Sequence, residues 1–223
     1  MNEGGSMDLL TLMRTTNTCR YYKPDPIAPD LLAKVLDAAR WAPTGGNRQP
    51  LRFIVVSDHE QKQALKSLYL PIWDNYVQGI RQGSVKVGGK SGLLESADHF
   101  AQHMEEIPVL LLVCARLDDV HPTDTHLGRL SIVGGASVYP AVQNIIMAAR
   151  EAGLGTALTT LHCAVEPEIK PMFNIPADIS LAAVLMMGWP AREFPKKLTR
   201  RPLDEMVFHG EYGVPLAAAK AVP

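Results

Sequence analysis

The chain has 223 residues, 47% hydrophobic and 20% charged, a size and balance that fit one globular domain burying roughly 70% of its unfolded surface. A formal net charge of -1 supplies no overall attraction to nucleic acid or to an anionic membrane, so an anionic ligand has to be met by locally placed Arg or Lys. The three widely spaced cysteines, Cys19, Cys114 and Cys163, argue for free thiols in a reducing compartment and against a disulfide framework or a CxxC metal or redox pair.

Residues 1–7 are polar and lack the basic and apolar regions of a secretory signal. No apolar run approaches the length of a membrane span, so the expected location is cytoplasmic. Asp8 opens a helix over 8–14. Residues 15–22 lead into a Pro-rich turn over 24–29, and Asp30 is placed as the cap of a second helix running to Trp41. That helix has Leu31, Leu32, Val35, Leu36 and Ala39 on its apolar face. A loop over 42–50 precedes an apolar strand, Phe53-Ile54-Val55-Val56, and residues 60–70 are expected to be helical. The stretch 71–95 contains Pro71, Trp73, Tyr76 and five glycines, and reads as a long excursion with a mobile middle, of the kind that lids a substrate site. A short helix over 98–106 leads to a buried strand over 108–114. After a polar connection over 116–130, the strongly apolar run 135–152 reads as a central buried helix, ended by Gly153-Leu154-Gly155. A strand over 156–161, a helix over 166–173, a buried strand over 181–187 and a tail over 191–223 complete the chain. This order predicts a single α/β sandwich-like domain over 1–223, with no internal repeat and no linker.

The loop 42–50 carries the chemistry. Pro43 and Pro50 block helix continuation and push the residues before them toward extended geometry. Gly45 and Gly46 permit close approach of the backbone to a ligand, and Thr44, Asn47 and Gln49 both donate and accept hydrogen bonds. Such a loop suits a flat heteroaromatic ligand. Its pattern, Ala-Pro-[Ser/Thr]-Gly-x-Asn-x-Gln-Pro ahead of Phe-Ile-Val-Val, resembles that of the nitroreductase family of FMN-dependent oxidoreductases. Three more stretches resemble family motifs in the same order. Thr16-Asn17-Thr18-Cys19-Arg20-Tyr21-Tyr22 aligns with Arg-[Arg/His]-Ser-x-[Arg/Lys]-x-[Phe/Tyr], matching at Arg20 and Tyr22, with Thr18 for serine and with positive charge missing at Thr16 and Asn17. Gly153-Leu154-Gly155 matches a Gly-Leu-Gly segment, and Thr199-Arg200-Arg201-Pro202-Leu203 resembles a closing Arg-x-Pro. The resemblance covers most of residues 8–210.

The resemblance implies an α+β fold, a central sheet flanked by helices around one long buried helix, in an intertwined homodimer whose C-terminal segment crosses to the partner. It implies FMN as cofactor, NADPH or NADH as hydride donor, and a nitroaromatic, quinone or similar small molecule as electron acceptor, in a ping-pong reaction. No protein nucleophile is implied, because the flavin carries the chemistry. The implied cofactor contacts are Thr16, Asn17, Thr18 and Arg20 after the first helix, and Pro43, Thr44, Gly45, Asn47 and Gln49 from the partner's loop. Thr160 and Leu161 are placed near the reactive edge of the ring, and Arg200 at the phosphate. The charge missing at Thr16 and Asn17 is left to Arg14, one helical turn earlier, or to heavier reliance of the phosphate on the C-terminal arginines Arg200 and Arg201. Alternatives on the same scaffold are reductive dehalogenation, ene reduction, flavin fragmentation, or flavin binding without turnover.

Other signals carry less. Residues 84–91 nearly spell a phosphate-binding loop, but Ser84 stands where its first glycine belongs and no strand precedes it. His99 and His103 share a helix face, but Phe100 occupies the place of a metalloprotease glutamate, so they read as surface histidines. His162 reads as a packed side chain and Cys19 as a small buried hydrophobe. No metal site is expected, and the basic residues are not interleaved with aromatics as in a nucleic-acid surface.

Overall fold

In the computed structural model, which describes residues 7–85 and 92–217, four strands form one antiparallel sheet: β1 (Leu51–Val56), β2 (Val109–Arg116), β3 (Gly155–Thr159) and β4 (Ile179–Gly188), in the spatial order β1-β2-β4-β3. Around it stand α1 (Leu9–Thr15), α2 (Pro29–Asp37), α3 (His59–Arg81), α4 (Leu93–Gln102), α5 (Tyr139–Glu151) and α6 (Glu166–Met172). The two inner strands are apolar from Val109 to Ala115 and from Leu181 to Gly188 because both faces of the sheet are covered, and alternate residues serve opposite faces. Leu110, Leu112 and Cys114 join Val184 and Met186 in a core with α3 and α4. Val109, Leu111, Val113 and Ala115 join Ala183, Leu185 and Met187 in a second core with α2 and α5.

A register shift between Val113 and Cys114, which pair with Ala183 and Leu181, skips Ala182. A bulge of one residue exchanges the faces of everything beyond it. That is why odd-numbered Ile179 and Leu181 lie in the same core as even-numbered Val184 and Met186.

Most predicted elements stand close to where the periodicity puts them, and the departures have physical causes. Asp8 does cap α1, accepting from the amides of Leu10 and Thr11 at 3.0 and 3.2 Å. The cap of α2 is Ala28 rather than Asp30, because Pro29 takes the first helical position, where its missing N–H is not needed. The last turn of the predicted helix tightens to a 3-10 turn over Ala38–Trp41. The expected excursion over 71–95 is helical on both sides: α3 continues through Pro71 to Arg81, and α4 starts at Leu93. Leu65, Tyr69, Trp73 and Val77, four residues apart, bury one continuous face and carry the helix past an exposed proline. Trp73 Nε1 then donates to Asp98 Oδ1 at 2.8 Å, tying α3 to α4. Residues 86–91, the heart of the near-match to a phosphate loop, lie outside the described residues. The predicted strand to Leu161 stops at Thr159, where Thr160 opens a turn over Leu161–Val165.

Residues 18–23 run along the outer edge of β3. Thr18 bridges Thr156 in parallel, Cys19 N–H donates to Thr156 O at 2.8 Å, and Lys23 N–H donates to Trp189 O at 2.8 Å. The approach is close because residue 155 has no side chain: a Cβ there would lie 2.6 Å from Cys19 Sγ and 2.7 Å from Cys19 Cβ. Gly155→Ala is therefore expected to cost about 1–3 kcal/mol, the usual penalty of overpacking, read as a lower urea midpoint. Cys19→Gly in the same chain should recover part of the loss, and an unchanged midpoint for Gly155→Ala would remove this contact as a constraint.

Candidate active site

The loop after α2 is a short 3-10 turn, Gly45–Asn47. Asn47 N–H donates to Thr44 O at 2.9 Å and Gln49 N–H to Thr44 Oγ1 at 3.2 Å. Gly45 N–H donates to Ser137 Oγ at 3.0 Å, across 92 residues of sequence. Gly46, Asn47 and Gln49 have φ of 60°, 53° and 51°. A left-handed backbone at a residue other than glycine costs on the order of 1–3 kcal/mol, and here it holds polar side chains outward, since residues 45–49 are all exposed. Residues 43–45 and 48 of the loop, with residues 119–121, 133, 134, 136 and 137, line a cleft of about 400 Å³.

The segment after α1 lines a second cleft, of about 220 Å³, with Asn17, Thr18 and Arg20 on one side and Arg192 and Phe194 on the other. Thr16 does not share it: its hydroxyl donates to Leu12 O at 2.7 Å and closes the end of α1. Cys19 is 7% exposed, and burial pushes its thiol up from the usual range, so it sits as a small hydrophobe. Thr160 is exposed, while Leu161 packs against the α3 core and its N–H is committed to Thr159 Oγ1 at 3.3 Å.

A third cleft, of about 490 Å³, joins the two ends of the chain: it is lined by Arg14, Lys196, Lys197 and Arg200 with Thr11, Thr15, Met13 and Leu198, and by no carboxylate. Leu198 N–H donates to Arg14 O at 3.1 Å. Arg150 contacts a residue of each of the second and third clefts: its guanidinium donates to Thr15 Oγ1 at 3.2 Å and stacks 3.7 Å from the ring of Phe194. Of the arginines singled out from sequence, Arg14 and Arg200 thus converge. Arg20 lies instead in the second cleft and in a fourth beside His59, His99 and His103. Lys196 and Lys197 were visible only as part of a basic run in the tail. Ser137 gave no signal, because its partner is a backbone amide distant in sequence.

In one copy of the chain, then, the loop at 43–49, Thr160 and Arg200 occupy separate places. His99 and His103 stack with ring centroids 4.2 Å apart and continue through Tyr21 to Arg192, so they are half-buried packing elements rather than solvated surface residues. Among the described residues no group of three or more His, Cys, Asp or Glu is placed to hold a metal ion, and no helix is long and apolar enough to cross a membrane.

Residues 13–189 match the model of the nitroreductase family. The chain belongs to that family. Among nitroreductase relatives, iodotyrosine deiodinase of Danio rerio is 26% identical over 200 residues, covering 88% of this chain and 65% of that protein, so the chain spans just under two thirds of its length. Two solved structures share the fold. Oxidized iodotyrosine deiodinase bound to FMN and 3-iodo-L-tyrosine superposes with a TM-score of 0.65 at 24% identity, over 92% of this chain and 99% of the other. An FMN-dependent nitroreductase of Clostridium difficile R20291 superposes with a TM-score of 0.64 at 18% identity, over 92% and 100%. The nitroreductase-like α+β fold expected from sequence is the fold observed.

His162, directly after the proposed ring-facing residues, is fully buried, with Nε2 3.3 Å from Leu65 O and its ring 4.8 Å from that of Tyr69. Burial pulls its pKa from 6.5 to about 4, against a smaller opposing effect of the Leu65 carbonyl. The folded-state value lies below the unfolded one, so the unfolded chain takes up the proton first as pH falls. The stability of neutral His162 is complete above about 6.5 and is lost on the way down to about 4. Roughly 2 kcal/mol should disappear between pH 7 and pH 5. Urea titrations of wild type and His162→Gln at both pH values check this: the variant should lose that part of the pH dependence, and identical slopes would refute it.

Proposed function

We propose that this chain is an FMN-dependent oxidoreductase that moves hydride from NADH or NADPH to an electrophilic small molecule, with nitroaromatics and quinones as the acceptor class, by alternating occupation of one face in ping-pong order. The observation that carries the reading is the cleft lined by Arg14, Lys196, Lys197 and Arg200 without a carboxylate. In a chain of net charge -1, such a concentration of cations fits a dianionic phosphate, with each charge-assisted hydrogen bond contributing about 1.5–3 kcal/mol. The same arrangement accounts for the neutral residues at 16 and 17. Thr16 spends its hydroxyl on α1, and the charge the family places there is supplied by Arg14 and the tail lysines.

When bound, a flavin supplies the two-electron redox chemistry, and the protein orients it and tunes its surroundings. Arg14, Lys196, Lys197 and Arg200 hold the phosphate end. Asn17, Thr18 and Arg20 line the ring side, with Thr160 and the start of the following turn at the ring's reactive edge. Pro43, Thr44, Gly45, Asn47 and Gln49 of a second copy close over the ring, which makes a homodimer, in the cytoplasm, the working unit.

A second reading has its own support. The 26% identity to Danio rerio iodotyrosine deiodinase extends over 88% of this chain, which favours a halogenated aromatic as acceptor, with halide leaving as the ring is reduced.

Titration of the purified chain with FMN and with riboflavin tests the cofactor and its phosphate grip together. FMN should bind at least about tenfold more tightly, the preference should shrink with salt, and Arg200→Ala or the double variant Lys196→Ala/Lys197→Ala should remove most of it while leaving riboflavin unchanged. A chain that binds neither flavin would overturn the reading. With FMN bound, NAD(P)H-driven reduction of a quinone supports the first acceptor class, and halide release from an iodophenol without quinone turnover supports the second.

A further inference from the structure

Between β2 and α5, residues 120–138 contain no helix or strand, yet their burial is inverted. Asp124 is 4% exposed, while Leu130 and Ile132 are 90% and 81% exposed. A buried carboxylate amid exposed aliphatic side chains needs a reason. Both of its oxygens are engaged: Ser131 Oγ donates to Oδ1 at 2.7 Å, and Arg129 Nη1 and Ile132 N–H donate to Oδ2 at 2.7 and 3.0 Å. These bonds, Ser131's foremost, hold the carboxyl below its usual range. The order passes onward from there. Ser131 Oγ accepts from Gly134 N–H at 3.2 Å, Ala136 N–H donates to Val133 O at 2.9 Å, and Ser137 Oγ accepts from Gly45 N–H at 3.0 Å. The far end of this relay is the loop at 43–49. Val133, Gly134, Ala136 and Ser137 stand across the 400 Å³ cleft from Pro43 and Thr44.

We propose that Asp124 is a positioning residue for acceptor recognition: by fixing residues 129–134 it sets the distance between the wall at 133–137 and the loop at 43–45, and hence the width of the opening by which a flat aromatic acceptor reaches the site. The proposal rests on the oxidoreductase reading above. The wall residues Val133, Gly134, Ala136 and Ser137 are small, which leaves room for a planar ring, and the position of the wall is set by hydrogen bonds rather than by a helix or strand.

The test uses the full chain loaded with FMN, with menadione as acceptor, and compares wild type, Asp124→Asn, Ser131→Ala and Ser137→Ala. Asp124→Asn keeps the size and one accepting oxygen. KM for menadione should rise about fivefold or more in Asp124→Asn and Ser137→Ala, with kcat at saturating FMN within about twofold of wild type. In flavin-free protein, hydrogen exchange at the Gly45 amide should speed up about tenfold in Asp124→Asn. An unchanged KM overturns the proposal, as does a fall in kcat at saturating FMN alongside the rise in KM, since Asp124 would then hold only the fold. Faster exchange at Ile132 with Gly45 still protected also overturns it. If Asp124→Asn does not fold, Ser137→Ala, which cuts only the link to Gly45, decides the matter by the same KM split. A wild-type chain that takes up no FMN sinks the oxidoreductase reading, and Gly45 exchange in that same protein still decides whether Asp124 governs the loop.

Discussion

A missing side chain at Gly155 lets the N-terminal segment lie against the sheet, and the rest of the candidate site depends on that approach. With a Cβ there, Cys19 Sγ would be 2.6 Å away, and residues 18–23 would have to leave the edge of β3. Gly188 repeats the device at the end of β4, where an added Cβ would meet Pro108 Cδ at 2.7 Å and Tyr22 Cδ1 at 3.0 Å. With the segment seated, the end of α1 is fixed. Arg150 reaches from α5 to Thr15 and Phe194, and the tail hydrogen-bonds to Arg14 through Leu198. The basic cleft follows from backbone packing several residues away.

That cleft is electrostatically unfavourable by itself. Like charges around one opening repel, and no carboxylate lines it to offset them. The backbone holds them together anyway, and a bound anion would relieve the tension. Because the chain as a whole is close to neutral, the attraction is local and extends little beyond a Debye length of roughly 8 Å at physiological salt. Such a site selects for a ligand with concentrated negative charge, as a phosphomonoester has, over one that is merely polar.

How much of this could be read from residues alone varies with the range of the interaction. Strands, helices and the two-faced sheet were legible because period-two and period-four spacing are local, and Leu110 to Cys114 has no polar interruption. The length of α3 was obscured by Pro71 and the nearby glycines, although Leu65, Tyr69, Trp73 and Val77 carried the helical spacing throughout. The bulge at Ala182 left no trace in an apolar run. Arg200 was legible by motif and Arg14 as a cation one helical turn before Thr18, but their meeting was not, since it depends on a backbone bond between Leu198 and Arg14. Ser137 and Asp124 were invisible because each acts through partners set by loop geometry, and no spacing rule describes a loop whose order comes from one buried carboxylate.

Under the proposed function, the loop at 43–49 and the basic cleft are each half of one site. Asn47 and Gln49 sit in left-handed backbone and are exposed, and Gln49 Nε2 meets only Asn47 O and Oδ1, at 3.4 and 3.3 Å. The cations across the molecule likewise have no acid lining their cleft. Both halves adjoin exposed apolar side chains: Trp41, 75% exposed, stands just before the loop, and Leu9, Leu10 and Met13, 60%, 58% and 49% exposed, lie on α1 beside Arg14. Exposed apolar surface next to an incomplete polar site is what a subunit interface presents before assembly. Under the proposed function, a second copy covers Trp41 and α1 in the same movement that brings its loop over the first copy's cations. Strain, charge and apolar exposure are then resolved by one contact, which gives the association of two chains and the binding of one flavin a common origin.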